Sequence, residues 1–235
     1  MNTSDSERLS SGFSEMGFDL AEDPVAADVF VLNTCVVRQS AEDTATGMLG
    51  RLGKDKKNRG NQIIGVTGCM VGPEKSELKR RFPHVDVWSG PQEFGPILEL
   101  AGVRHGLDPS GCLSGLVPET PHVSSFIPVV HGCDKFCTFC IIPYRRGRET
   151  SRTSSEIVHE AEMMVARGVK EITFLGQNVD SYGHDLRPRI DLADLMTMVH
   201  EVNGLERIRF LTSHPNDMSV RILEAVRDLP KVCEM

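Results

Sequence analysis

The second half of the chain opens with the stretch Phe126-Ile127-Pro128-Val129-Val130-His131-Gly132-Cys133-Asp134-Lys135-Phe136-Cys137-Thr138-Phe139-Cys140. Its first five residues are apolar and predict a buried strand, after which three cysteines follow in a short irregular loop. The loop after a strand of a βα unit is where an α/β fold exposes its active-site groups. The stretch therefore predicts an α/β fold with a thiol site at the carboxyl end of a strand.

The spacing of the three cysteines indicates a metal or cluster site. Thiolates that converge from one irregular segment are typical of iron–sulfur clusters, which usually take four ligands. Three cysteines would leave one iron with an open coordination position, the feature that separates catalytic from structural metal sites. The alternative is a zinc site completed by His131 or another residue, and spacing alone does not decide between zinc and iron.

Around this stretch, helical periods alternate with short apolar strands. On the carboxyl side we predict a helix at 154–167, a strand at 171–175, a helix at 191–202, a strand at 207–211, a helix at 217–227 and a further strand from Val232. On the amino side we predict a helix at 5–18, a strand at 29–32, a helix at 39–57, a strand at 62–67, a helix at 73–82, a strand at 85–88 and a helix at 92–100. This alternation is typical of parallel sheets covered by helices.

The periodicity fails between residues 102 and 125, where Gly, Pro and Ser recur. Such composition is typical of a linker. We therefore predict one α/β domain at 1–103, a linker at 104–124 and a second α/β domain at 125–235.

Composition limits the class of protein. The 235 residues are 40% hydrophobic and 25% charged, which is ordinary for a globular protein and excludes disorder as the main state. The sequence has no apolar run of about 18 residues and no signal-peptide pattern, so we predict a cytoplasmic protein without a membrane span. A net charge of −7 restricts any nucleic-acid contact to a local basic patch. In a reducing compartment, the seven cysteines are better explained as ligands or catalytic groups than as disulfides.

Several motifs in order resemble the radical S-adenosylmethionine (SAM) methylthiotransferases. The CxxxCxxC loop with Phe139 before its third cysteine resembles the signature of radical SAM enzymes, and the longer string from His131 to Arg152 resembles the methylthiotransferase branch. Asn33-Thr34-Cys35-Val36-Val37-Arg38 and Gly68-Cys69-Met70 resemble the amino-terminal domain of that branch. The strings Gly176-Gln177-Asn178-Val179-Asp180-Ser181-Tyr182-Gly183 and Thr212-Ser213-His214-Pro215 are most similar to the tRNA enzymes of the family.

The resemblance implies a fold and a cluster site. The fold is a Rossmann-like parallel α/β domain followed by the first part of a partial (βα)6 barrel of the TIM type. Cys133, Cys137 and Cys140 are implied to hold a [4Fe–4S] cluster whose free iron binds SAM. Reductive cleavage of SAM then gives a 5′-deoxyadenosyl radical that abstracts hydrogen from C2 of an adenine, while the protein positions that carbon and excludes water.

A second [4Fe–4S] cluster is implied on the amino-terminal domain, as the source of the inserted sulfur. Cys35 and Cys69 match two of its three ligands. The remaining family cysteine would lie just before Met1, and Cys112 in the linker is either a substitute or an incidental small residue. The family's last barrel units and its RNA-binding β-barrel would follow Met235, so we expect a chain shortened at both ends.

Further residues are implied to bind the cofactor or the RNA. Phe139 would pack near the adenine of SAM or merely support the loop. Two groups of residues follow predicted strands, where barrel enzymes gather their active-site groups: Gly176, Gln177 and Asn178, and Ser213 and His214. The alternatives are a polar turn for the first group and a hydrogen-bonded structural histidine for His214. Four arginines beyond the loop predict a phosphate-binding patch, and the alternatives are a solvated turn or a contact with the cofactor carboxylate; they are Arg145, Arg146, Arg148 and Arg152.

The implied reaction is methylthiolation of N6-isopentenyladenosine beside the anticodon of tRNA. Within the family, the alternatives are threonylcarbamoyl-adenosine and a ribosomal-protein aspartate as substrates. A zinc-binding α/β module without catalysis is the alternative from a different class. The expected partners are tRNA and an external electron donor of the flavodoxin or ferredoxin type, and we expect a monomer.

Overall fold

The computed structural model describes residues 1–24, 26–72, 74–109, 117 and 122–233. The chain folds as two compact units. The amino-terminal unit comprises Asn2–Leu116 and Phe139–Arg146, and the carboxyl-terminal unit comprises Val117–Thr138 and Gly147–Met235 together with Met1. Most of the predicted linker, including Cys112, lies outside the described residues, so the domain boundaries stay a prediction.

The amino-terminal unit is built on a three-stranded parallel sheet of order β1-β2-β3. Its elements are α1 (Asn2–Glu15), β1 (Val29–Thr34), α2 (Gln39–Arg59), β2 (Ile63–Gly68), α3 (Ser76–Arg81), β3 (Val87–Trp88), α4 (Gly95–His105) and the short α5 (Ile142–Arg146). The central strand β2 is buried at every position, and its Ile64 and Val66 belong to a hydrophobic cluster of this unit. Helix α4 ends at Gly106, which adopts the left-handed conformation that glycine tolerates best.

The carboxyl-terminal unit contains a second three-stranded parallel sheet of order β4-β7-β8. Its elements are β4 (Ser124–Pro128), β5 (Val130–His131), β6 (Thr150–Ser151), α6 (Ser154–Ala166), β7 (Glu171–Leu175), a 3-10 turn (Val179–Ser181), α7 (Leu192–His200), β8 (Arg207–Phe210) and α8 (Val220–Asp228). Val232 then forms a parallel bridge to Ile208, at the position where the sequence predicted a further strand.

Local sequence explains where the helices of this unit begin. Thr153 and Glu156 form a reciprocal capping box at the start of α6, and Asp191 and Asp194 form another at the start of α7. The Ser219 side chain accepts a hydrogen bond at the start of α8. Parallel strands connected by helices confirm the predicted α/β class. Among the described helices, none is long and apolar enough to cross a membrane.

Candidate active site

The carboxyl ends of β4, β7 and β8 meet at one edge of the second sheet, as parallel pairing requires. The segment after β4 carries the first two loop cysteines, the segment 176–183 follows β7, and the segment 212–217 follows β8. Barrel enzymes gather their active-site groups at this edge. The candidate site of the carboxyl-terminal unit is therefore formed by three loops that are distant in sequence.

The backbone of the cysteine loop turns at Gly132. Gly132 has a φ of +70°, and a Cβ at this position would lie 2.1 Å from the carbonyl oxygen of Arg148. Cys133 N–H donates to the carbonyl oxygen of Gly147 at 3.2 Å, and β5 pairs antiparallel with β6. Only glycine combines this φ with so close an approach of backbone. The turn places Cys133 in a buried position, whereas Cys137 is half-buried, and neither cysteine forms a disulfide.

An ion pair connects the loop to the end of β8. Lys135 Nζ, between Cys133 and Cys137, lies 2.7 Å from Oδ1 and 2.6 Å from Oδ2 of Asp217. Asn178 Nδ2 donates to the same carboxylate at 2.6 Å. Although burial opposes it, hydrogen bonds from Lys135 and Asn178 hold the pKa of Asp217 below its usual value. The charged carboxylate therefore fixes the loop and the segment after β7 in one network.

Two more carboxyl groups order the same edge. Asp180 accepts hydrogen bonds from Ser213 Oγ at 3.1 Å and from His214 N at 2.9 Å. Glu149 accepts from Ser181 Oγ at 2.6 Å. Burial raises the pKa of Asp180 and of Glu149, although hydrogen bonds from these donors oppose the shift. Both carboxyls join segments from different strands, so they act as structural supports of the site.

Sequence reasoning missed Asp217 and Glu149 as members of the site. Asp217 binds Lys135, which is 82 residues away, and Glu149 binds Ser181, which is 32 residues away. A motif of neighbouring residues therefore could not predict these contacts. The available signal for Asp217 was position, since it follows β8 by a few residues on the carboxyl side.

The structure places the predicted cofactor-binding residues of this unit as follows. Gly176 directly follows β7, and a Cβ there would lie 2.3 Å from Cγ1 of Val130, so the Val130 side chain packs closely against the Gly176 backbone. Asn178 is buried, and its Oδ1 has no hydrogen-bond partner among the described residues. Gln177 is half-buried and Ser213 is exposed. The neighbouring Thr212 has a left-handed φ of +73°, and its Oγ1 donates to the carbonyl oxygen of Gly176 at 2.9 Å.

The third loop cysteine, Cys140, belongs to a different unit from the first two. The division between units runs between Thr138 and Phe139, so Cys140 belongs to the amino-terminal unit and Cys133 and Cys137 to the other. Cys140 is a half-buried free thiol, and Phe139 is 91% exposed and contributes little to packing. In the described part of the chain, no group of three or more His, Cys, Asp or Glu side chains is placed to hold a metal ion. The cluster-ligand assignment therefore stays a prediction.

The donor chemistry nevertheless fits an iron–sulfur cluster. None of Cys133, Cys137 and Cys140 forms a disulfide, and thiolate sulfur is the ligand that iron–sulfur clusters take. The loop turn at Gly132 and the Lys135–Asp217 pair hold the segment that carries the first two. These residues fit the group that the sequence predicted, as judged from their chemistry.

The four arginines of the predicted phosphate patch have different surroundings. Arg148 is 74% exposed in its side chain, stacks over Phe136 at 5.2 Å and lies 3.3 Å from Asp134. Arg145 is half-buried against Gly72 in the amino-terminal unit. Arg152 Nη2 lies 2.7 Å from Oε2 of the buried Glu160, and its Nη1 donates to the carbonyl oxygen of Pro128.

The burial of Arg146 disagrees with its predicted place in a phosphate-binding patch or a solvated turn. Arg146 is buried, and its Nε donates to Sγ of Cys69 at 3.1 Å within the amino-terminal unit. A guanidinium enclosed in this way is not available to a phosphate backbone. Arg148 is therefore the most exposed member of the predicted patch.

The ends of β1 and β2 carry the predicted auxiliary ligands. Cys69 is buried and Cys35 is half-buried, and both are free thiols. Cys69 N–H donates to the carbonyl oxygen of Thr34 at 3.0 Å, which joins the two strand ends. Because β1 and β2 are parallel neighbours with Thr34 opposite Gly68, the two cysteines follow paired positions.

Comparison with known proteins agrees with this architecture. Residues 1–90 match the family model described as uncharacterized protein family UPF0004, and residues 127–233 match the radical SAM superfamily. A solved radical S-adenosylmethionine methyltransferase, TsrM of Kitasatospora setae with tryptophan and a SAM analogue bound, is 11% identical with a TM-score of 0.50. The match covers 96% of this chain and 62% of that one, and at this identity it supports the fold alone.

Relatives are similar over the whole chain. A protein of Dictyoglomus thermophilum named tRNA-2-methylthio-N(6)-dimethylallyladenosine synthase is 42% identical over 246 residues, covering 99% of this chain and 55% of that protein. A protein of the same name from Clostridium beijerinckii is 40% identical, covering 100% of this chain and 54% of that protein. The chain thus spans about half the length of these relatives. The chain therefore combines a segment that matches UPF0004 with a segment that matches the radical SAM superfamily, and it is similar over its whole length to proteins named tRNA-2-methylthio-N(6)-dimethylallyladenosine synthase.

Proposed function

We propose that this chain acts in methylthiolation of tRNA, at C2 of N6-isopentenyladenosine beside the anticodon. The observation that carries the proposal is the set of three cysteines, none of them in a disulfide, in the loop after the first strand of the radical SAM segment. The identity of 40% to 42% with proteins named for this product supports the choice of substrate over threonylcarbamoyl-adenosine or a protein aspartate.

In this proposal Cys133, Cys137 and Cys140 hold a [4Fe–4S] cluster, and Cys35 and Cys69 are ligands of a second one. A cluster with SAM bound supplies one-electron cleavage of the sulfonium bond. The electron comes from an external donor of the flavodoxin or ferredoxin type. Since tRNA is the proposed substrate, a cytoplasmic location belongs to the same proposal.

The described residues explain how the site would be held. Lys135 and Asp217 fix the segment between the first two cysteines, while Gly176 allows β7 to end close against Val130. Asn178 Oδ1 is buried without a described partner, so it can accept a hydrogen bond from the amino group of a bound amino-acid moiety. Gln177 and Ser213 lie on the same loops and complete the proposed SAM-binding set.

Two surface features support the nucleotide side of the proposal. Phe139 presents a nearly fully exposed ring, and an exposed aromatic face next to cluster ligands is suited to stacking on an adenine. Arg148 and Arg145 remain available for phosphate, whereas Arg146 and Arg152 are engaged within the protein. The proposed RNA contact is therefore smaller than the four-arginine run predicted.

Reductive cleavage of SAM tests the proposal. The full chain, reconstituted anaerobically with iron and sulfide and reduced with dithionite, should be brown and should form 5′-deoxyadenosine from SAM. Cys137→Ala should abolish 5′-deoxyadenosine formation and lower bound iron by about one cluster. Cys233→Ala removes a free thiol outside both proposed sets and serves as the matched control.

Two results would contradict the proposal. A colourless protein with stoichiometric zinc would identify a zinc-binding module instead. Full SAM cleavage by Cys137→Ala would exclude the loop as the cluster site.

A further inference from the structure

The guanidinium of Arg146 is buried inside the amino-terminal unit beside a sulfur atom. Only 4% of its side chain is exposed, and its Nε lies 3.1 Å from Sγ of Cys69, 77 residues earlier in the chain. Its Nη2 lies 3.7 Å from Oδ2 of Asp5, whose side chain is 2% exposed. Arginine is almost never buried unless it is paired, so enclosure of this side chain needs a reason.

The pairing with Asp5 does not account for the whole arrangement. Arg146 Nη1 and Asp5 Oδ2 are both buried without a hydrogen-bond partner among the described residues. Gln92 Nε2 donates to the other oxygen of Asp5 at 3.4 Å. The carboxylate thus balances the charge of the guanidinium at a distance, while the direct hydrogen bond of Arg146 goes to the sulfur.

The backbone around Cys69 is held independently of Arg146. Gly68 has a φ of +90°, and a Cβ there would lie 2.3 Å from the carbonyl oxygen of Thr34. Cys69 N–H donates to that oxygen, and Met70 N–H donates to Thr34 Oγ1 at 3.1 Å. Because these hydrogen bonds already fix the backbone on either side of the Cys69 peptide, the hydrogen bond from Arg146 acts on the direction and charge of the sulfur.

We propose that Arg146 is a positioning residue for Cys69: its Nε–H donates to the sulfur, and Asp5 keeps the guanidinium in place as a counter-ion. Hydrogen bonds to a ligand sulfur draw negative charge from it and favour the reduced form of an iron–sulfur cluster. Removing the bond should therefore shift the reduction potential of a cluster at Cys69 to lower values. The cluster role rests on the proposed function, whereas the Arg146–Cys69 contact does not.

The contact is tested by nuclear magnetic resonance on the nitrogen-labelled full chain without iron. A buried, bonded Nε–H should give a resonance protected from solvent exchange, absent in Arg146→Met. Cys69→Ala should shift that resonance and remove its protection, whereas Cys35→Ala should leave it in place. A resonance that is unchanged in Cys69→Ala would overturn the proposal.

The positioning role is tested by redox titration of the reconstituted chain, followed by electron paramagnetic resonance. The signal that disappears in Cys69→Ala should shift to lower potential in Arg146→Met, and Arg146→Lys should restore part of the shift because it keeps a cationic donor. Arg51→Met removes an exposed arginine of the same unit and should cause no shift.

The other possible results distinguish failure of the Arg146 role from failure of the proposed function. Equal potentials in Arg146→Met and Arg51→Met, or equal iron content in the parent and Cys69→Ala, would overturn the role of Arg146 at a cluster. A parent protein that cleaves SAM but lacks the protected resonance contradicts this inference alone. A parent protein that shows the resonance but does not cleave SAM contradicts the proposed function alone.

Discussion

Asp217 accepts a hydrogen bond at 2.7 Å from Lys135, which is 82 residues away in the chain and lies between two cysteines. The contact joins the segment after β8 to the loop after β4, so the order of the proposed cluster loop depends on a residue from another βα unit. Because Asp217 also binds Asn178, one carboxylate connects all three loops at the carboxyl edge of the sheet.

Replacing Asp217 with Asn should loosen the cysteine loop. The substitution removes the charge that pairs with Lys135 and should cost about 1–3 kcal/mol of unfolding free energy. Chemical denaturation measures the loss, and hydrogen exchange of residues 133–137 should speed up in the same variant. Asp19→Asn, at an exposed position, is the control. Unchanged exchange in Asp217→Asn would show that the loop is held by other contacts.

Gly132 and Gly147 provide a matched pair for testing the loop turn. Both have left-handed φ values, but a Cβ would meet Arg148 at Gly132 and nothing within 4 Å at Gly147. Gly147→Ala should therefore lower the free energy of unfolding by roughly 1–2 kcal/mol, the cost of a left-handed φ for alanine. Gly132→Ala should lower it by clearly more, because its Cβ would also clash with the backbone of Arg148. Thermal unfolding compares the two, and equal losses would contradict the close contact at Gly132.

Glu171 should make the second sheet sensitive to acid. Its carboxylate bonds Arg207 Nε at 2.7 Å and Ser124 Oγ at 2.9 Å, so it connects all three strands. The hydrogen bond from Arg207 has the largest effect and, together with that from Ser124, holds the pKa of Glu171 below its usual value of 4.5. A carboxyl with a lowered pKa contributes stability that is present above the ordinary value and is lost as the pH falls below it.

Glu171→Gln should consequently lower the unfolding free energy near pH 7 by about 1 kcal/mol and flatten its dependence on pH below about 4.5. Urea denaturation across that pH range measures both effects. Glu206→Gln breaks a more exposed pair with Lys170 and should change stability by less than about 0.5 kcal/mol. If the unfolding free energy of Glu171→Gln and of the parent depended on pH in the same way, Glu171 would not be the source of the acid sensitivity.

Arg148 and Arg152 should separate RNA binding from stability. Arg148→Gln should leave the free energy of unfolding almost unchanged. If the proposed tRNA binding holds, this variant should weaken it and reduce the slope of its salt dependence by about one unit. Arg152→Gln removes the ion pair with the buried Glu160 and should destabilise the carboxyl-terminal unit by about 3 kcal/mol. Filter binding at several salt concentrations and thermal unfolding measure the two effects. The same response from both variants would contradict the separate roles of Arg148 in RNA binding and Arg152 in stability.

Much of the fold could be predicted because its signals are local. The predicted strand at 171–175 matches β7, and the predicted helix at 154–167 matches α6 within one residue. Capping residues and apolar periods act within a few positions, so a single sequence contains them. The small elements β6 and α5, next to the cysteine loop, were missed because they are too short to show a period.

The candidate site was only partly predictable. Cysteine spacing and strand ends indicated the loop and the segments after β7 and β8, because those positions follow from chain order. The carboxylates that hold the segments together could not be found, since their contacts join residues far apart in sequence.

By itself, the sequence determined the alternation of strands and helices and the close spacing of three thiols, because both depend on neighbouring residues. Only the tertiary structure decided the different surroundings of Arg146 and Arg148, which stand two positions apart. Arg146 is enclosed beside Cys69 and Asp5, whereas Arg148 stays exposed over Phe136. The physical reason is that burial of a charge depends on which distant groups can compensate it, and that is known only after the chain has folded.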